Sequence, residues 1–572
     1  MIIKNVADYF LSKIISRYGI DRVFLYPGGT IAPLVNSALK FGLEVETFKT
    51  EQGAGYAALS HGYALGIPQL LLVTSGPGMT NAISCVCDSF FDSVPLLVVS
   101  GQISTKDLYA GRKVRQLGFQ QVDGVSILSK LTKFSKCISK PSDFSNLDHV
   151  LDLAADERGG PIYFELPMDV QLSDYEPYFQ AVKQDTTHTA LAKIDPNNDE
   201  FLTIRESLLS AHKPLALIGA GGISSCGAHE SIYRLLKKLN LHFVTSFRGV
   251  GFSSYKDPLN MGYLGHTGHE RANRAVYEAD WLLVLGSRLD VRQTGTETKE
   301  FSLDKAVYFV NNDQTELDAC RVDYDLGILR EVGKFADELS NYLINFQPKP
   351  LTKWANALID FRKKEKNDVY NDGSSFAGRE IVEKVSSFVS NKSVAVVTGV
   401  GSHQHWVARH FDFAYPQKRL FTSAGHGTMG FDVPAAVGVS MTNKFDVTLC
   451  FVGDGSIMHN ICELRSAVDR NLNIIFIVFR NKRLGIVSQF QKITFGEDPT
   501  TNNFHTGDLC VIANGFGLKS KHIDINNLDE LEKLINVEKG PRLVTVDIPE
   551  SEDLSPMLLG GSKLNNLWTL NI

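Results

Sequence analysis

The chain has 572 residues, of which 43% are hydrophobic and 21% are charged, and its formal net charge at pH 7 is −6. At roughly 100–200 residues per domain, a globular protein of this length is expected to contain about three to four domains. The negative charge and the lack of a long basic run give no electrostatic footprint for nucleic acid. We therefore expect no nucleic-acid partner.

The first residues form an amphipathic pattern, in which charged residues interrupt the apolar positions, unlike the continuous apolar core of a signal peptide. No stretch approaches the roughly 18 apolar residues of a membrane-spanning helix. We therefore expect no membrane partner and a cytoplasmic location, where the eight cysteines would be reduced.

Short apolar runs closed by glycine or proline alternate with helical patterns along the chain. The first set lies at 22–25, 70–74, 95–100 and 162–166. A second set lies at 215–219, 242–246, 281–286 and 306–310, and a third at 393–398, 447–452, 473–479 and 542–548. Continuous apolar runs of this kind indicate buried strands of parallel sheets.

Two polar stretches separate the three sets. Residues 172–200 are polar and carry no period, as in a linker, and a second boundary lies near 345–375. The expected fold class is α/β, with three doubly wound parallel-sheet domains at 1–175, 190–345 and 365–550 and a tail at 551–572. In such sheets ligands bind beyond the carboxyl ends of the strands, so the glycine-rich strand ends are expected to carry the chemistry.

Two polar residues follow strands of the third set. The strand at 447–452 runs into the turn Gly453-Asp454-Gly455, and the next strand ends at Asn481. Parallel neighbours joined by one crossover would bring these strand ends together. A carboxylate and an amide oxygen suit Mg²⁺, which leaves coordination positions for phosphates of a ligand. Taken alone, Gly-Asp-Gly could equally be an ordinary strand-end turn.

The spacing of Gly-Asp-Gly and Asn481 resembles the signature of the thiamine diphosphate enzymes. Further motifs narrow this resemblance to the catalytic subunit of acetolactate (acetohydroxyacid) synthase, and they extend over essentially the whole chain. They are YPGGT at 26–30, TSGPGMTN at 74–81, DSVPL at 92–96, TGVGSHQHW at 398–406, GTMGFDVPAA at 427–436 and PMLLGG at 556–561.

The resemblance implies a role for each domain. Residues 1–175 would bind the pyrimidine of thiamine diphosphate, 190–345 would form a central domain that can bind FAD, and 365–550 would bind the diphosphate. Asp454, Asn481 and the backbone carbonyl of Arg483 would hold Mg²⁺. The family's frequent Asn-Asn pair is altered only at its first residue, Arg480.

Glu51 matches the carboxylate that the cofactor needs beside its pyrimidine. It lies just before a Gly/Ala-rich helix, where a glutamate could otherwise be a partner of the helix dipole or a solvated charge. The resemblance implies that it exchanges a proton with the cofactor. Phe119 and Gln120 match active-site residues, and Ile486 matches the apolar residue that bends the cofactor, although it could equally be core.

The resemblance also assigns residues that contact the cofactor. Gly427 and Met429 match backbone contacts to the aminopyrimidine, while Val400 and His403 match residues beside the pyrimidine and the diphosphate. The remaining cofactor-binding positions implied are Pro27, Gly28, Gly29, Pro77, Ser402, Gly453, Gly455, Ser456 and Gly485.

The central domain carries segments that resemble the FAD-binding segments of the synthases, GHTGHERAN at 265–273 and GSRLDVRQTG at 286–295. GAGG at 219–222, after a strand, is a weak dinucleotide-type turn. FAD bound here would be structural rather than redox-active. The implied FAD-binding residues are Gly219, Gly221, Gly222, Leu264, Gly265, His266, Gly286, Arg288, Asp290 and Arg292.

Four residues are candidates for substrate binding: Thr30, Met168, Arg292 and Phe490. Arg292 suits a substrate carboxylate, since a guanidinium binds a carboxylate through two hydrogen bonds. The sequence also departs from the family pattern. Met168 stands where the synthases have Lys, Ser402 where they have Gln, Phe490 where they have Trp, Val291 where they have Asp, and Asn311 where an acidic residue is expected.

The implied reaction is decarboxylation of a 2-oxo acid, with pyruvate expected, followed by addition of the two-carbon unit to a second carbonyl. The acceptor could be a second pyruvate, giving acetolactate, or a keto-sugar nucleotide, as in a related branch that makes branched sugars. The sequence is also compatible with a flavin-linked pyruvate oxidase, or with a non-catalytic protein that retains a relic site. The resemblance implies a homodimer or homotetramer with active sites at the subunit interface.

Overall fold

The computed structural model describes residues 2–108, 114–156, 158–183, 198–224, 227–347, 353–364, 377–497, 500–524 and 527–568. Within these residues the chain forms three parallel sheets of six strands each, flanked by helices. The α/β fold class predicted from the alternating apolar runs is therefore confirmed.

The first sheet has the strand order β2-β1-β3-β4-β6-β5. Its strands are β1 (Arg22–Leu25), β2 (Glu44–Thr47), β3 (Gln69–Val73), β4 (Leu96–Gln102), β5 (Phe134–Cys137) and β6 (Pro161–Pro167). The helices of this part are α1 (Val6–Tyr18), α2 (Ala32–Lys40), α3 (Glu51–Leu65), α4 (Pro77–Asn81), α5 (Ile83–Phe91), α6 (Gly124–Leu128), α7 (Leu147–Leu153), α8 (Met168–Leu172) and α9 (Glu176–Lys183).

The second sheet has the order β12-β11-β10-β7-β8-β9. Its strands are β7 (Pro214–Ile218), β8 (Phe243–Thr245), β9 (Asn260–Tyr263), β10 (Trp281–Leu285), β11 (Ala306–Asn311) and β12 (Leu326–Leu329). Its helices are α10 (Asn198–Ser210), α11 (Gly221–Ser224), α12 (Ala228–Leu239), α13 (Glu270–Glu278), α14 (Val291–Thr294), α15 (Thr298–Ser302), α16 (Gln314–Asp318), α17 (Val332–Tyr342) and α18 (Lys353–Lys364).

The third sheet has the order β14-β13-β15-β16-β18-β17. Its strands are β13 (Val394–Thr398), β14 (Lys418–Thr422), β15 (Val447–Gly453), β16 (Ile474–Arg480), β17 (Lys519–Ile523) and β18 (Arg542–Asp547). Its helices are α19 (Gly378–Phe388), α20 (Ser402–His410), α21 (Asp432–Ser440), α22 (Asp454–Ile457), α23 (Leu464–Asp469), α24 (Gly485–Phe495), α25 (Leu509–Phe516) and α26 (Leu528–Asn536). Short 3₁₀ helices lie at Gly29–Ile31, Thr105–Asp107, Pro141–Phe144, Phe247–Gly249, Ile461–Glu463 and Thr500–Asn502.

The twelve predicted apolar runs coincide with the four inner strands of each sheet, whereas the two edge strands of every sheet, β2, β5, β9, β12, β14 and β17, were not predicted. An inner strand is covered by helices on both faces and is therefore apolar along most of its length, as in LLLV of β3 and IIFIVF of β16. Several edge strands carry charged residues instead, as in EVET of β2 and KSKHI of β17. Their pattern therefore does not stand out from the surrounding loops.

The stretch 172–200 was predicted as an aperiodic linker, and this prediction is wrong in part because it contains α9. That helix buries Tyr178, whose ring packs edge-on against Phe144 of the first domain. Residues 184–197, together with 348–352 and 365–376 of the second boundary, lie outside the described residues.

The first and third sheets are joined through α3 and α21, which cross at small residues. A Cβ added to Gly438 would lie 2.6 Å from Ala57 Cα, and Ser60 donates a hydrogen bond to the carbonyl of Ala435. The close approach of the two backbones creates one buried core from side chains of both domains. This packing fixes the first domain against the third within one chain.

No described helix has the length and apolar character needed to cross a membrane. Seven of the eight cysteines lie in described residues, and all seven are free thiols. Cys226 lies outside the described residues.

Candidate active site

The predicted metal site lies where β15 and β16 end side by side. Gly453 pairs with Phe479 in the parallel register, so Asp454 and Asn481 follow adjacent strand ends. The Asp454 carboxylate accepts hydrogen bonds from the backbone N–H groups of Lys482 and Gly455, both at 2.9 Å. The crossover geometry inferred from the sequence is therefore present, and it brings Asp454 to the segment that holds Asn481 and Arg483.

The chemistry of these groups fits Mg²⁺. Asp454 is 3% exposed, and burial raises the pKa of its carboxyl to about 6, so a nearby cation would favour its ionised form. Arg483 directs its guanidinium to Asp553, at 2.8 Å, which leaves its backbone carbonyl as the group that could serve a metal. Among the described residues no group of three or more His, Cys, Asp or Glu side chains could hold a metal. A site built from one carboxylate, an amide and a carbonyl is typical of Mg²⁺ bound together with phosphates.

A polar recess beside Asp454 fits a diphosphate. Ser402 Oγ and His403 Nε2 are buried and lack a hydrogen-bond partner among the described residues. Gly485 approaches this recess, because a Cβ there would lie 2.9 Å from Asn481 Nδ2 and 3.4 Å from Ser402 Oγ. A Cβ on Gly453 would lie 3.2 Å from His403 Nδ1. Buried polar atoms without partners are costly, so these atoms fit a site completed by a polar ligand.

The segment predicted to contact the aminopyrimidine connects β14 to α21. Gly427 has a positive φ of 78°, which an L side chain would strain, and Val400 lies half-buried just before α20. Gly455 lies near this segment, since a Cβ there would meet Met429 Cε at 3.6 Å. Ile486 is half-buried at the start of α24 and packs on the third-domain core.

The Ser456 hydroxyl is already engaged. It donates to Asp432 and accepts from the N–H of Gly430 at 3.0 Å. Its proton is therefore already used, and only one lone pair of the hydroxyl stays available to a donor of the cofactor.

Glu51 is the first residue of α3, and the Thr50 side chain caps this helix by accepting from the N–H of Gly53. The Glu51 side chain is largely buried and accepts a hydrogen bond from Asn81 Nδ2 at 3.1 Å. A Cβ on Gly78 would lie 2.8 Å from Thr74 Cγ2 and 3.6 Å from Glu51 Oε1, so the absence of a side chain lets α4 approach β3 beside this oxygen. The carboxylate thus lies between α3 and α4, in a corner of the first domain.

The neighbouring strand ends hold further predicted residues. Pro27, Gly29 and Pro77 are exposed, while Gly28 packs against Thr74 so closely that a Cβ would overlap it. Thr30 Oγ1 lies 2.8 Å from Thr74 Oγ1 and accepts from the N–H of Ser75.

Gln120 has a positive φ of 63°, and its carbonyl oxygen would lie 2.7 Å from a Cβ on Gly76. Phe119 is 86% exposed, and Met168 is half-buried at the start of α8. Gln120 is thus brought to the strand ends that hold Thr30, whereas the Phe119 ring is left in solvent.

The segment around Glu51 contacts the third domain of its own chain, since the N–H of Thr50 donates to Glu463 and Asn460 donates to Gln52. No hydrogen bond or ion pair of the described residues links the Glu51 side chain to Asp454 or Asn481. Phe490 is 59% exposed on α24 of the third domain, and Arg292 lies in the central domain, 3.3 Å from the carbonyl of Ala424. The substrate residues predicted from the sequence therefore come from three domains.

The central domain contains an open cleft at the ends of β7 and β10. Seven of the ten residues predicted to bind FAD line it: Gly221, Leu264, His266, Gly286, Arg288, Asp290 and Arg292. Arg158 and Arg248 also line the cleft and were not predicted. Arg248 follows a predicted strand, which was a usable signal, whereas Arg158 comes from the first domain and only the tertiary structure brings it here.

Gly219, Gly222 and Gly265 do not line the cleft and instead serve packing behind it. A Cβ on Gly222 would press on the side chain of Ile218, and a Cβ on Gly265 would lie 3.0 Å from Gln293 Cα. Asn311, which stands where the family has an acidic residue, lines the cleft and donates to the carbonyl of Ser287. The donors and glycine-lined floor of the cleft fit a dinucleotide.

Three family models match the chain along its length. They are the thiamine pyrophosphate enzyme N-terminal TPP binding domain at residues 4–127, the central domain at 203–339 and the C-terminal TPP binding domain at 399–548. Each model falls on one of the three sheets.

Relatives of similar length match almost the whole chain. The acetolactate synthase isozyme 2 large subunit of Escherichia coli is 30% identical over 95% of this chain and 96% of its own. The acetolactate synthase large subunit of Lactococcus lactis is 29% identical over 96% and 93%. The mitochondrial acetolactate synthase catalytic subunit of Saccharomyces cerevisiae is 28% identical over 97% and 82%. The chain therefore belongs to the thiamine pyrophosphate enzymes, as a carboligase of the acetolactate synthase kind.

Proposed function

We propose that the protein is a Mg²⁺-dependent carboligase that takes pyruvate as its 2-oxo acid and adds the two-carbon unit to a second carbonyl, in the first instance another pyruvate. The observation that carries this proposal is the recess of Ser402, His403 and Gly485 beside Asp454 and Asn481, which offers partnerless polar atoms and hard oxygen ligands at one strand edge. Bound thiamine diphosphate supplies the carbon nucleophile and the electron sink for loss of CO₂.

The residues of the chain would then have separate tasks. Asp454, Asn481 and the carbonyl of Arg483 hold the metal, and Ser402 and His403 hydrogen-bond the diphosphate. Glu51 exchanges a proton at its carboxylate with the pyrimidine ring. Arg292 binds the substrate carboxylate, because a guanidinium offers two parallel donors to it.

We also propose that the active unit is a homodimer or a dimer of dimers. The Glu51 carboxylate is held by Asn81 of its own domain, and no described hydrogen bond joins it to Asp454 or Asn481 in its own chain. A Glu51 from a second chain would complete the site, as the family resemblance implies. Sedimentation of an active monomer would contradict this arrangement.

FAD is proposed to occupy the central cleft as a structural group. Arg158, Arg248 and Arg292 line the cleft, and cationic donors favour the negatively charged pyrophosphate of a dinucleotide. If pyruvate bleached the absorbance of bound flavin, the protein would be a pyruvate oxidase and the carboligase proposal would be wrong. The cytoplasmic location stays a prediction.

A keto-sugar nucleotide is the second candidate acceptor. Phe490 and Val291 both depart from the synthase pattern, and within the single chain their side chains are 59% and 50% exposed. These departures would suit an acceptor larger than pyruvate.

The test is mass spectrometry of the products formed from ¹³C-labelled pyruvate with thiamine diphosphate, Mg²⁺ and a panel of carbonyl acceptors. Labelled acetolactate supports the first acceptor, and a labelled branched sugar supports the second. Phe490→Ala should change the product ratio without changing the rate of CO₂ release, whereas Leu39→Ala, at a residue 60% exposed, should change neither. Absence of CO₂ release from every 2-oxo acid tried would refute the proposal.

A further inference from the structure

We propose that Asp88 and Asp92 are positioning residues for the aminopyrimidine-contact segment, defined as residues 423–429, and that they act on the segment of their own chain. This inference rests on the proposed function, because it takes residues 427 and 429 to contact the cofactor. The two aspartates belong to the first domain and the segment to the third, so the relationship is invisible in either domain alone.

Asp88 holds one end of a hydrogen-bond chain that shapes the segment. Ser423 Oγ accepts from the N–H groups of Gly427 and Thr428, both at 2.9 Å, and donates to Asp88 Oδ1. A hydroxyl has one proton and two lone pairs, so these three bonds use its full capacity. These hydrogen bonds therefore connect Asp88 of the first domain to the backbone of Gly427, whose φ is 78°, and hold that backbone in place.

The surroundings of Asp88 are buried and polar. Asp88 is 0% exposed, and burial raises the pKa of its carboxyl, while the hydrogen bond from Ser423 opposes the rise. The hydroxyl of Tyr56 from α3 lies beside the same carboxyl and Thr428. Polar groups from α3, α5 and the segment thus meet in one buried place, where Tyr56 OH, Asp88 Oδ2 and Thr428 Oγ1 have no hydrogen-bond partner among the described residues. The hydrogen bonds through Ser423 are therefore the ones that connect Asp88 to the segment.

Asp92 holds the start of the same segment. Its two carboxylate oxygens accept from the N–H groups of Ala424, at 3.0 Å, and Gly425, at 2.9 Å. Asp92 follows Asp88 by one helical turn and stands at the C-terminal end of α5, where the helix dipole disfavours a negative charge. The two backbone N–H groups and Arg248, whose Nη1 lies 3.3 Å from Asp92 Oδ1, offset this unfavourable interaction with the helix dipole.

The same contacts reach the central cleft. Arg248 donates to the backbone carbonyl of Asp92, and Arg292 donates to the carbonyl of Ala424. Both arginines line the cleft. The start of the third-domain segment is therefore bonded to both other domains, to the first through Asp92 and to the central domain through Arg292. The cofactor-contacting residues 427 and 429 follow Gly425 by two and four positions.

It follows that different residues of the first domain act on different active sites. Its Glu51 would serve the cofactor of the partner chain, whereas its Asp88 and Asp92 serve the cofactor bound by the third domain of the same chain. Each first domain would then act on both sites of a dimer.

The first experiment separates positioning from folding. Ser423→Ala and Asp92→Asn should raise the thiamine diphosphate concentration needed for half-maximal binding by roughly tenfold, because each change removes a hydrogen bond to a buried or charged group. The near-ultraviolet circular dichroism of the bound cofactor should change as well, while the KM for pyruvate stays within about twofold. Asp446→Asn is the matched control, since Asp446 accepts from the N–H of Ser393 at a third-domain loop away from this segment.

Cofactor affinity and circular dichroism like those of the wild type in both Ser423→Ala and Asp92→Asn would overturn the inference. If a variant melts far below the wild type, Asp92→Glu provides a second test, because it retains the carboxylate. Partial recovery of cofactor affinity in Asp92→Glu supports positioning, and affinity no better than in Asp92→Asn contradicts it.

The second experiment tests whether Asp92 acts on the segment of its own chain or on that of the partner chain. Mixed dimers of Glu51→Gln and Asp92→Asn chains, purified through two different tags, are assayed at a thiamine diphosphate concentration low enough to limit the Asp92→Asn parent. They should regain about half of the wild-type activity, because one of the two sites then has both residues intact. Activity at the mean of the parent variants would overturn the inference, provided that mixed dimers of Glu51→Gln and Asp454→Asn chains do recover. If that second pair also fails to recover, the proposed two-chain site itself is wrong, and the inference falls with it.

Discussion

Gly219 and Gly286 face each other at the ends of neighbouring strands β7 and β10, with backbone in direct contact. A Cβ on Gly219 would overlap the carbonyl oxygen of Gly286, and a Cβ on Gly286 would lie 2.9 Å from Gly221 Cα. The N–H of Gly219 donates to the carbonyl of Leu285 and that of Gly221 to the carbonyl of Gly286. Gly221 and Gly286 line the floor of the central cleft, and Gly219 packs directly behind them, so a side chain at 219 would displace the backbone of that floor.

Gly219→Ala should widen this floor and weaken dinucleotide binding. The new Cβ would overlap the backbone of Gly286, which moves less easily than a side chain. The free energy of unfolding should therefore fall by about 1–3 kcal/mol. Titration with FAD, followed by quenching of flavin fluorescence, measures the first effect and thermal unfolding the second. Gly515→Ala is the control, since a Cβ there meets nothing within 4 Å and helix α25 favours alanine. FAD affinity unchanged in Gly219→Ala would exclude the cleft as the flavin site.

Glu51→Gln should lower kcat by about 10²–10⁴-fold and leave cofactor affinity nearly unchanged. The amide oxygen can still accept from Asn81, so the local structure is kept while the exchangeable proton is lost. Steady-state CO₂ release and cofactor titration measure the two quantities. Glu44→Gln, the same change at a side chain 65% exposed, should behave as wild type. Full activity in Glu51→Gln would exclude this carboxylate from catalysis.

Asp454→Asn should raise the Mg²⁺ concentration required for cofactor binding by at least about 10-fold. The amide retains an oxygen for the N–H of Lys482, so the turn should fold, but a neutral ligand binds a divalent cation less tightly. Cofactor binding at graded Mg²⁺ concentrations gives the measurement. Asp337→Asn, in an exposed ion pair with Arg234, serves as control. An unchanged Mg²⁺ requirement would place the metal elsewhere.

Glu552 should make the protein less stable as the pH rises. Burial raises its pKa to about 8, with Glu380 and Asp553 adding to the rise and the N–H of Gly378 opposing it. The ordinary value is 4.5, so between about pH 4.5 and 8 the folded chain binds more protons than the unfolded chain, and stability falls across that window. Above about pH 8 both states are ionised and the loss is complete.

The measurement is the thermal midpoint of unfolding from pH 5 to 9. Glu552→Gln should flatten its fall, whereas Glu550→Gln, at a side chain 67% exposed, should follow the wild type. If the thermal midpoints of the wild type and of Glu552→Gln fall in parallel with rising pH, Glu552 is not the cause of the loss of stability.

The sequence by itself determined the inner strands of each sheet and the residues that follow their carboxyl ends. This was possible because a strand buried on both faces is apolar along most of its length, and because a turn that approaches a phosphate or a metal is rich in glycine, aspartate or asparagine. Asp454 and Asn481 were found in this way, and the resemblance of the surrounding motifs added Glu51.

Only the tertiary structure decided what lies opposite those residues. The edge strands, the packing of α9, the place of Arg158 in the central cleft and the contacts of Asp88 and Asp92 with residues 423–425 all depend on partners far away in the chain. A local sequence pattern indicates whether a residue is buried or lies in a turn. It does not indicate which distant backbone N–H will donate to an aspartate side chain. For Asp92, the DSVPL motif was visible in the sequence, and its contacts emerged only when the first and third domains packed together.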